Sequence, residues 1–385
     1  QLDVYGPLIV GYCVYFADPD ALKGTLVNTL KAVRPTVFVG VPRVWEKMME
    51  RMLEVGQRNP WCLRCVSKWA KRVGLQASEA TERGRPLPWG FTLANTVVFK
   101  LVRRALGLQD CRALFSGAAA MRPDVLQYFR SLYMQVHELY GMSECTGPQN
   151  ANLPHAYSTG TCGVALPGME LRLADTDAAG VGEVCMRGRH VFMGYLHDPE
   201  GTAAAIDAQG WLHSGDMGVL DDRNFLAITG RRKELLVTAG GENVAPLPIE
   251  AAICGEVPAV AHAVVLGNHH KFLAAVVTLK VGRPSPGGDP TSDHPAPETQ
   301  AAADRCGSAA ATLSTLARCP QFVEFVARGV QRSNTRAVSK AQRVRRLLVL
   351  GQEFTVDGGE LTPTMKLRRK AIDAKYVDLI AALFA

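Results

Sequence analysis

The chain has no cysteine framework, no long apolar run and no strong excess of charge of either sign. Its ten cysteines are scattered rather than regularly spaced, and no positively charged leader with a small-residue cleavage site precedes them. That usage favours a reducing, cytoplasmic compartment over a secreted disulfide scaffold. Cys62 and Cys65 have the spacing of half a zinc site, but no second pair follows at ligand spacing. The apolar stretch Leu2 to Ala17 is broken by Asp3 and Gly6-Pro7 and is shorter than the roughly 20 residues a membrane helix needs. It reads instead as a buried helix and strand. A net charge of +7 suits an anionic substrate or a membrane surface. With no reading helix, aromatic sheet motif or zinc finger, it gives no support to a nucleic-acid partner.

What is present is enough to bury a core. Hydrophobic residues make up 47% and charged residues 21% of 385 positions, which predicts a globular protein of about two domains. Helical spacing over Ala21 to Val33 ends before Arg34-Pro35, and Thr36 to Val39 then reads as a buried strand. Pro42 opens a helix over Arg43 to Glu54. A strand at Cys111 to Phe115, a helix from Pro123 to Leu132 and a strand at Gln135 to Leu139 imply parallel α/β layering. From about Gly163 to Thr229, short apolar runs separated by turn residues predict a β-rich subdomain. Strands around Val264 and Ala275 and helices around Ile249 and Phe322 then predict a compact α+β unit, interrupted by a Pro/Gly-rich surface insertion at about 282–300.

Several short constellations carry chemistry. Phe115-Ser116-Gly117-Ala118-Ala119 ends a strand with small residues, so a flat ring or a backbone can come close to it; the alternative is an ordinary tight turn. In Glu138-Leu139-Tyr140-Gly141-Met142-Ser143-Glu144, the glycine allows a turn and Tyr140 can lie against adenine. Ser143 offers a hydroxyl to phosphate, and Glu144 offers hard oxygen to Mg2+. His213-Ser214-Gly215-Asp216 contains the residue types of a hydrolase triad, but such triads are assembled by folding and rarely from near neighbours.

Taken in order, these motifs and those downstream resemble the adenylate-forming acyl-CoA synthetases. The downstream motifs are Thr229-Gly230-Arg231-Arg232-Lys233-Glu234, Gly240-Gly241-Glu242-Asn243 and Gly358-Gly359-Glu360-Leu361-Thr362-Pro363-Thr364-Met365-Lys366. With Gly40-Val41-Pro42-Arg43-Val44-Trp45-Glu46-Lys47 added, the chain is most similar to the bubblegum-type long-chain and very-long-chain branch. That family carries Thr where Ser143 stands, and the hydroxyl survives. The resemblance weakens across Gly282 to Ala303.

The resemblance implies an α/β fold. Residues 1–232 would be the C-terminal part of a large AMP-binding domain, with the β-rich subdomain at 163–229. Residues 233–385 would form a small mobile α+β C-terminal domain. It implies ATP-dependent conversion of a long-chain fatty acid to an acyl-adenylate and then, with coenzyme A, to acyl-CoA. Gly117, Ala118, Glu138, Leu139, Tyr140, Gly141, Met142 and Ser143 would line the adenylate, and Glu144 would hold Mg2+. Asp216 would accept the ribose hydroxyls, an acceptor-only role, with Arg231 as a forked donor to ribose or α-phosphate. Lys233 would be the hinge, Gly240, Gly241 and Glu242 would line the coenzyme A passage, and Lys366 would be the catalytic cation. Trp45 would gate the acyl tunnel, against the alternative of a core aromatic on a helix face. Arg368, Arg369 and Lys370 read as a solvated basic face, with the alternative that they or Arg343, Arg345 and Arg346 meet coenzyme A phosphates.

The family's upstream Ser/Thr/Gly-rich loop ending in Pro-Lys is not found, so the chain reads as N-terminally incomplete. Tyr157 to Gly163 imitates that loop, but no lysine follows it. A catalytically inactive short form acting as a ligand-binding or interaction module is the alternative function. A fatty substrate leaves open peripheral contact with the endoplasmic reticulum or other internal membranes.

Overall fold

The structure, a computed structural model, describes all residues except 1–2, 19–20, 22–23, 283–292 and 363–365. The chain divides into two compact units, Gln1–Ile228 and Thr229–Ala385. Most of the Pro/Gly-rich insertion and Pro363, Thr364 and Met365 of the Lys366 segment lie outside the described residues.

The first unit is built on a five-stranded sheet in the order β1 (Val37–Gly40), β2 (Ala113–Ser116), β3 (Val136–Met142), β4 (Gly147–Ala151) and β5 (Val164–Ala165). The first three strands are parallel and the last two antiparallel, as the helix-linked and turn-linked connections require. Pro42 starts the helix Pro42–Gln57, and a second proline starts Pro123–Ser131. The apolar faces of these two helices and of Trp61–Glu82 meet in a core containing Trp45, Phe99 and Phe129. A separate four-stranded sheet follows in the order β6 (Glu170–Ala174), β7 (Gly182–Arg187), β8 (Leu212–Leu220) and β9 (Leu226–Arg231). Val184, Met186, Leu212 and Leu226 bury its inner face.

In the second unit a hairpin of β10 (Leu236–Val237) and β11 (Asn243–Val244) precedes a three-stranded sheet, β12 (Val260–Leu266), β13 (Leu273–Leu279) and β14 (Val344–Leu350). Every residue of β13 is buried, because both faces of the sheet are covered. Leu273, Ala275, Val277 and Leu279 meet the core of the helix Pro320–Ser333, while Val276 faces Phe354, Ile372 and Tyr376.

Three expectations change. The segment reading as a buried helix and strand is a six-residue helix, Tyr5–Val10, followed by irregular chain, and none of residues 3–18 is buried. Leu8, Ile9, Val10, Tyr15 and Phe16 are exposed. The helix expected over Ala21 to Val33 is described from Leu26 to Val33. The end of the expected surface insertion is instead the helix Pro297–Arg305, with Thr299, Ala302 and Ala303 in the core, because Pro297 starts it and alanines suit a packed helix. No helix of the described residues is long and apolar enough to cross a membrane.

Candidate nucleotide site

Parallel pairing sets the frame. Leu114, Phe115 and Ser116 of β2 pair with Val136, His137 and Glu138 of β3, so Gly117 and Ala118 leave the sheet beside Leu139 and Tyr140. Ala118 adopts φ +72, a left-handed conformation that an L side chain resists and that tends to persist where a site is held by its surroundings. The Ser116 hydroxyl is buried without a hydrogen-bond partner among the described residues. Glu138 is buried, and its Oε1 accepts the Met121 N–H at 3.0 Å. Burial pushes its carboxyl up to about 7, with the Met121 hydrogen bond opposing.

Beyond Glu138 the strand does not end in a turn, as the sequence suggested, but continues to Met142 against β4. The reason lies at Gly141. A Cβ there would sit 2.1 Å from the Gly147 carbonyl oxygen, so only glycine permits the two backbones to cross so closely. Ser143–Cys145 then forms a single 3-10 turn that leaves Ser143 exposed and Glu144 half-buried. The Tyr195 hydroxyl donates to Glu144 Oε1 at 2.9 Å.

The other half of this unit's site comes from a bulge. Glu183 pairs with Met217 but Cys185 pairs with His213, so two steps along β7 are matched by four along β8. The extra length is absorbed at Ser214-Gly215-Asp216, where Gly215 takes φ +71. Glu183 Oε1 accepts the Gly215 N–H at 3.0 Å, the Ser214 hydroxyl donates to the Val184 carbonyl at 2.6 Å, and the Asp216 N–H donates to that hydroxyl at 3.0 Å. The bulge lifts Asp216 toward β3, and the Tyr140 hydroxyl donates to Asp216 Oδ2 at 2.9 Å. Burial, and then the Asp216 charge, raise the Tyr140 phenol, so it stays a donor.

In the second unit, Arg231 and Lys233 are exposed at the end of β9 and in the 3-10 turn Arg232–Glu234. Gly240 and Gly241 form the tip between β10 and β11. The Thr238 N–H donates to the Glu242 carbonyl at 3.0 Å, and the Glu242 carboxylate accepts from Ser339. Lys366 is exposed on a loop closed by an antiparallel bridge between Leu361 and Leu367, with the Thr362 N–H donating to the Lys366 carbonyl at 2.8 Å. Arg369 is not part of a solvated face. Its guanidinium grips Glu250 at 2.7 and 2.6 Å and reaches Glu234 at 3.1 Å. It thereby ties the Lys233 turn to the start of the helix after Lys366. Burial works against its charge, yet the two carboxylates raise its pKa.

The structure therefore brings Gly117, Ala118, Glu138 to Glu144 and Asp216 together within one unit and places Arg231, Lys233, Gly240 to Glu242 and Lys366 in the other. Trp45 is fully buried, edge-on to Phe38 and Phe129, with its Nε1 donating to the Gly40 carbonyl at 3.1 Å. It is placed as the core aromatic that stood as the alternative to a gate. Glu183, Tyr195 and Arg369 were missed by sequence reasoning. Glu183 alone had a local signal, as the one carboxylate of the strand Gly182–Arg187, whose first five residues are all buried.

The fold places the paired Tyr140 and Asp216 at a candidate site, and comparison with known proteins gives the class of the chain. The profile of the AMP-binding enzymes matches residues 1–196, and that of the AMP-binding enzyme C-terminal domain matches residues 233–306. The chain belongs to the AMP-binding enzyme family. It is 45% identical over its whole length to long-chain-fatty-acid–CoA ligase ACSBG2 of Gallus gallus, covering 51% of that protein. To ACSBG1 of Rattus norvegicus it is 41% identical over 99% of its length, covering 53% of that protein. These are the bubblegum-type ligases that the motifs resemble, and the chain spans about half the length of the curated relatives it matches. The fold is shared with the adenylation domain of a Mycobacterium chelonae carboxylate reductase, with a TM-score of 0.66 at 24% identity over 96% of this chain and 49% of that one. ATP-bound MatB of Rhodopseudomonas palustris gives a TM-score of 0.57 at 19% identity over 93% of this chain and 54% of that one.

Proposed function

We propose that this chain carries the adenylate-handling and thioester-forming surfaces of a long-chain fatty acid–CoA ligase. In that reaction a fatty carboxylate attacks the α-phosphorus of ATP and pyrophosphate leaves. The thiol of coenzyme A then attacks the acyl-adenylate carbonyl and AMP leaves. The hydrogen bond from Tyr140 to Asp216, which joins two motifs 76 residues apart, is the observation that carries the reading. By donating its proton to Oδ2, Tyr140 holds the carboxylate in one orientation for ribose hydroxyls. Arg231 supplies a forked donor, Ser143 a hydroxyl for phosphate, and Lys366 a positive charge for the transferring α-phosphoryl group. The second unit acts as the mobile C-terminal domain, turning at Lys233 between half-reactions so that the Gly240-Gly241-Glu242 tip replaces Lys366.

Magnesium would neutralise charge on the phosphates. Glu144 is the residue to hold it, and it fits as the single hard carboxylate that such an ion takes together with phosphate oxygens. The protein is read as cytoplasmic, with peripheral contact at a membrane that supplies the fatty acid.

Two measurements test this separately. Calorimetric titration of the 385-residue chain with AMP should give saturable binding, and Asp216→Ala should weaken it roughly 10- to 100-fold, the worth of a lost charged hydrogen bond. No binding by the unaltered chain would remove the nucleotide site. Incubation with ATP, Mg2+, coenzyme A and palmitate should release AMP. Binding without release for any fatty acid would leave the ligand-binding or interaction module as the function.

A further inference from the structure

The outer face of the β6–β9 sheet, opposite its apolar cluster, carries a group of side chains that the ligase reading does not use. Glu183 and Cys185 are two residues apart on β7 and so share a face, and His213 is directly opposite Cys185 on β8. His213 Nδ1 lies 3.0 Å from Glu183 Oε2 and 3.5 Å from Cys185 Sγ, and all three ligand atoms fall within 4.8 Å of one another. Glu183 and Cys185 are buried, while the His213 side chain is 29% exposed and opens the group to solvent.

We propose that Cys185 Sγ, His213 Nδ1 and Glu183 Oε2 form a binding site for a soft divalent cation, Zn2+ in the first instance, with water as the fourth ligand. Bond lengths of about 2.3 Å to sulfur and about 2.0 Å to nitrogen and oxygen, at tetrahedral angles, put sulfur and nitrogen about 3.6 Å apart and nitrogen and oxygen about 3.3 Å apart. The separations present without any ion are within a few tenths of an ångström of both.

The surroundings of His213 support the same conclusion. Asp207 Oδ2 lies 3.6 Å from His213 Nε2, and its partner Arg172, at 2.9 Å, fixes the carboxylate there. With Nδ1 turned to a cation, His213 would present its Nε2–H to the Asp207 carboxylate. A carboxylate behind the distal nitrogen is the usual companion of a metal-bound imidazole. Zinc takes cysteine as the thiolate, so uptake at this site would release the Cys185 thiol proton to solvent. The opposite oxygen of Glu183 holds the Gly215 N–H, so an ion here would brace the bulge that presents Asp216. The proposal does not depend on what Asp216 binds.

The experiment uses the reduced 385-residue chain with Cys62→Ser and Cys65→Ser, which removes the exposed cysteine pair as a competitor. Titration with Co2+ should give a thiolate-to-cobalt charge-transfer band saturating at one equivalent and discharged by Zn2+. X-ray absorption of the zinc form should show one sulfur at about 2.3 Å with nitrogen and oxygen at about 2.0 Å. Cys185→Ser should abolish the band, and Asp207→Asn should weaken binding roughly 10- to 100-fold. Substoichiometric uptake, a metal shell with no sulfur or with two, or a band retained in Cys185→Ser would overturn the site. The absorption spectrum of the zinc form decides the matter even if Cys185→Ser fails to fold. Absence of any uptake would overturn the site as well.

Discussion

The two units hold their candidate residues by different means. In the first, Gly117, Glu138, Tyr140 and Asp216 sit on or beside strands whose register fixes them, and the adjustments are made by backbone: a close crossing at Gly141 and a bulge at Gly215. In the second, Lys233 and Lys366 sit on short turns, and a buried guanidinium shared by Glu250 and Glu234 positions the elements beside them. The contrast extends to the surface. The second unit covers both faces of its sheet, whereas in the first Val37 and Val39 of edge strand β1 are about half exposed and Trp89 is 95% exposed. Strand-held residues gain rigidity from hydrogen bonds that extend along the sheet. Turn-held residues depend on a few long-range contacts, which makes the second unit's elements separable and its charge cluster the point at which to break them.

The largest effect should come from Arg369→Met. It removes the cation and leaves Glu250, whose side chain is 6% exposed, buried with the Val265 N–H as its remaining donor among the described residues. Breaking such a buried pair from one side costs about 3–5 kcal/mol. Calorimetry of the whole chain should show the transition of the second unit lowered and that of the first unmoved. A loss under about 1 kcal/mol would show that the turns do not depend on this cluster.

Glu138 offers a comparable test in the first unit, with the opposite sign. Its carboxyl is raised from 4.5 to about 7 in the folded chain. Between those values the folded state keeps a proton that the unfolded state has released, so stability falls as pH rises through this window, and the cost is complete above it. That cost is on the order of 3 kcal/mol. Glu138→Gln keeps an oxygen for the Met121 N–H and removes the charge. It should match the parent near pH 4, exceed it at pH 8 and flatten the pH dependence of urea unfolding between them. Parallel pH profiles for the two proteins would mean that Glu138 ionises as it does in water.

These differences also set what could be read in advance. The strands around Phe115 and Leu139, the helix opened by Pro42 and the β-rich stretch before Thr229 are written in local alternation and turn residues, and each forms. Tyr140 and Asp216 could be paired in advance only through family resemblance, because nothing local relates positions that meet across two sheets. Gly141 was misread as a turn because a glycine before polar residues looks the same whether it bends the chain or lets another strand pass. Arg369 was misread as solvated because its neighbours Arg368 and Lys370 are exposed and its partners, Glu234 and Glu250, are more than a hundred residues away. Local composition does not carry such contacts. The apolar segment after Asp3 shows the same limit, since periodicity says what a face would bury against but not whether anything is there.

The smallest effect on stability should be the most informative about the site. An ideal Cβ at Gly117 would lie 3.5 Å from Leu139 Cβ, an ordinary contact, and Gly117 does not use a left-handed φ. Packing within this chain therefore does not require glycine there, unlike at Gly141, where the added carbon would overlap the Gly147 carbonyl. Gly117→Ala should change unfolding by less than about 0.5 kcal/mol, with a slight gain from the stiffer unfolded chain. If a flat ring approaches the end of β2, the same methyl should weaken AMP binding by about tenfold, the cost of about 1.4 kcal/mol of crowding at the contact. Unchanged stability with unchanged AMP affinity would put the adenine elsewhere on the sheet, while Gly141→Ala should lose stability first and binding only as a consequence.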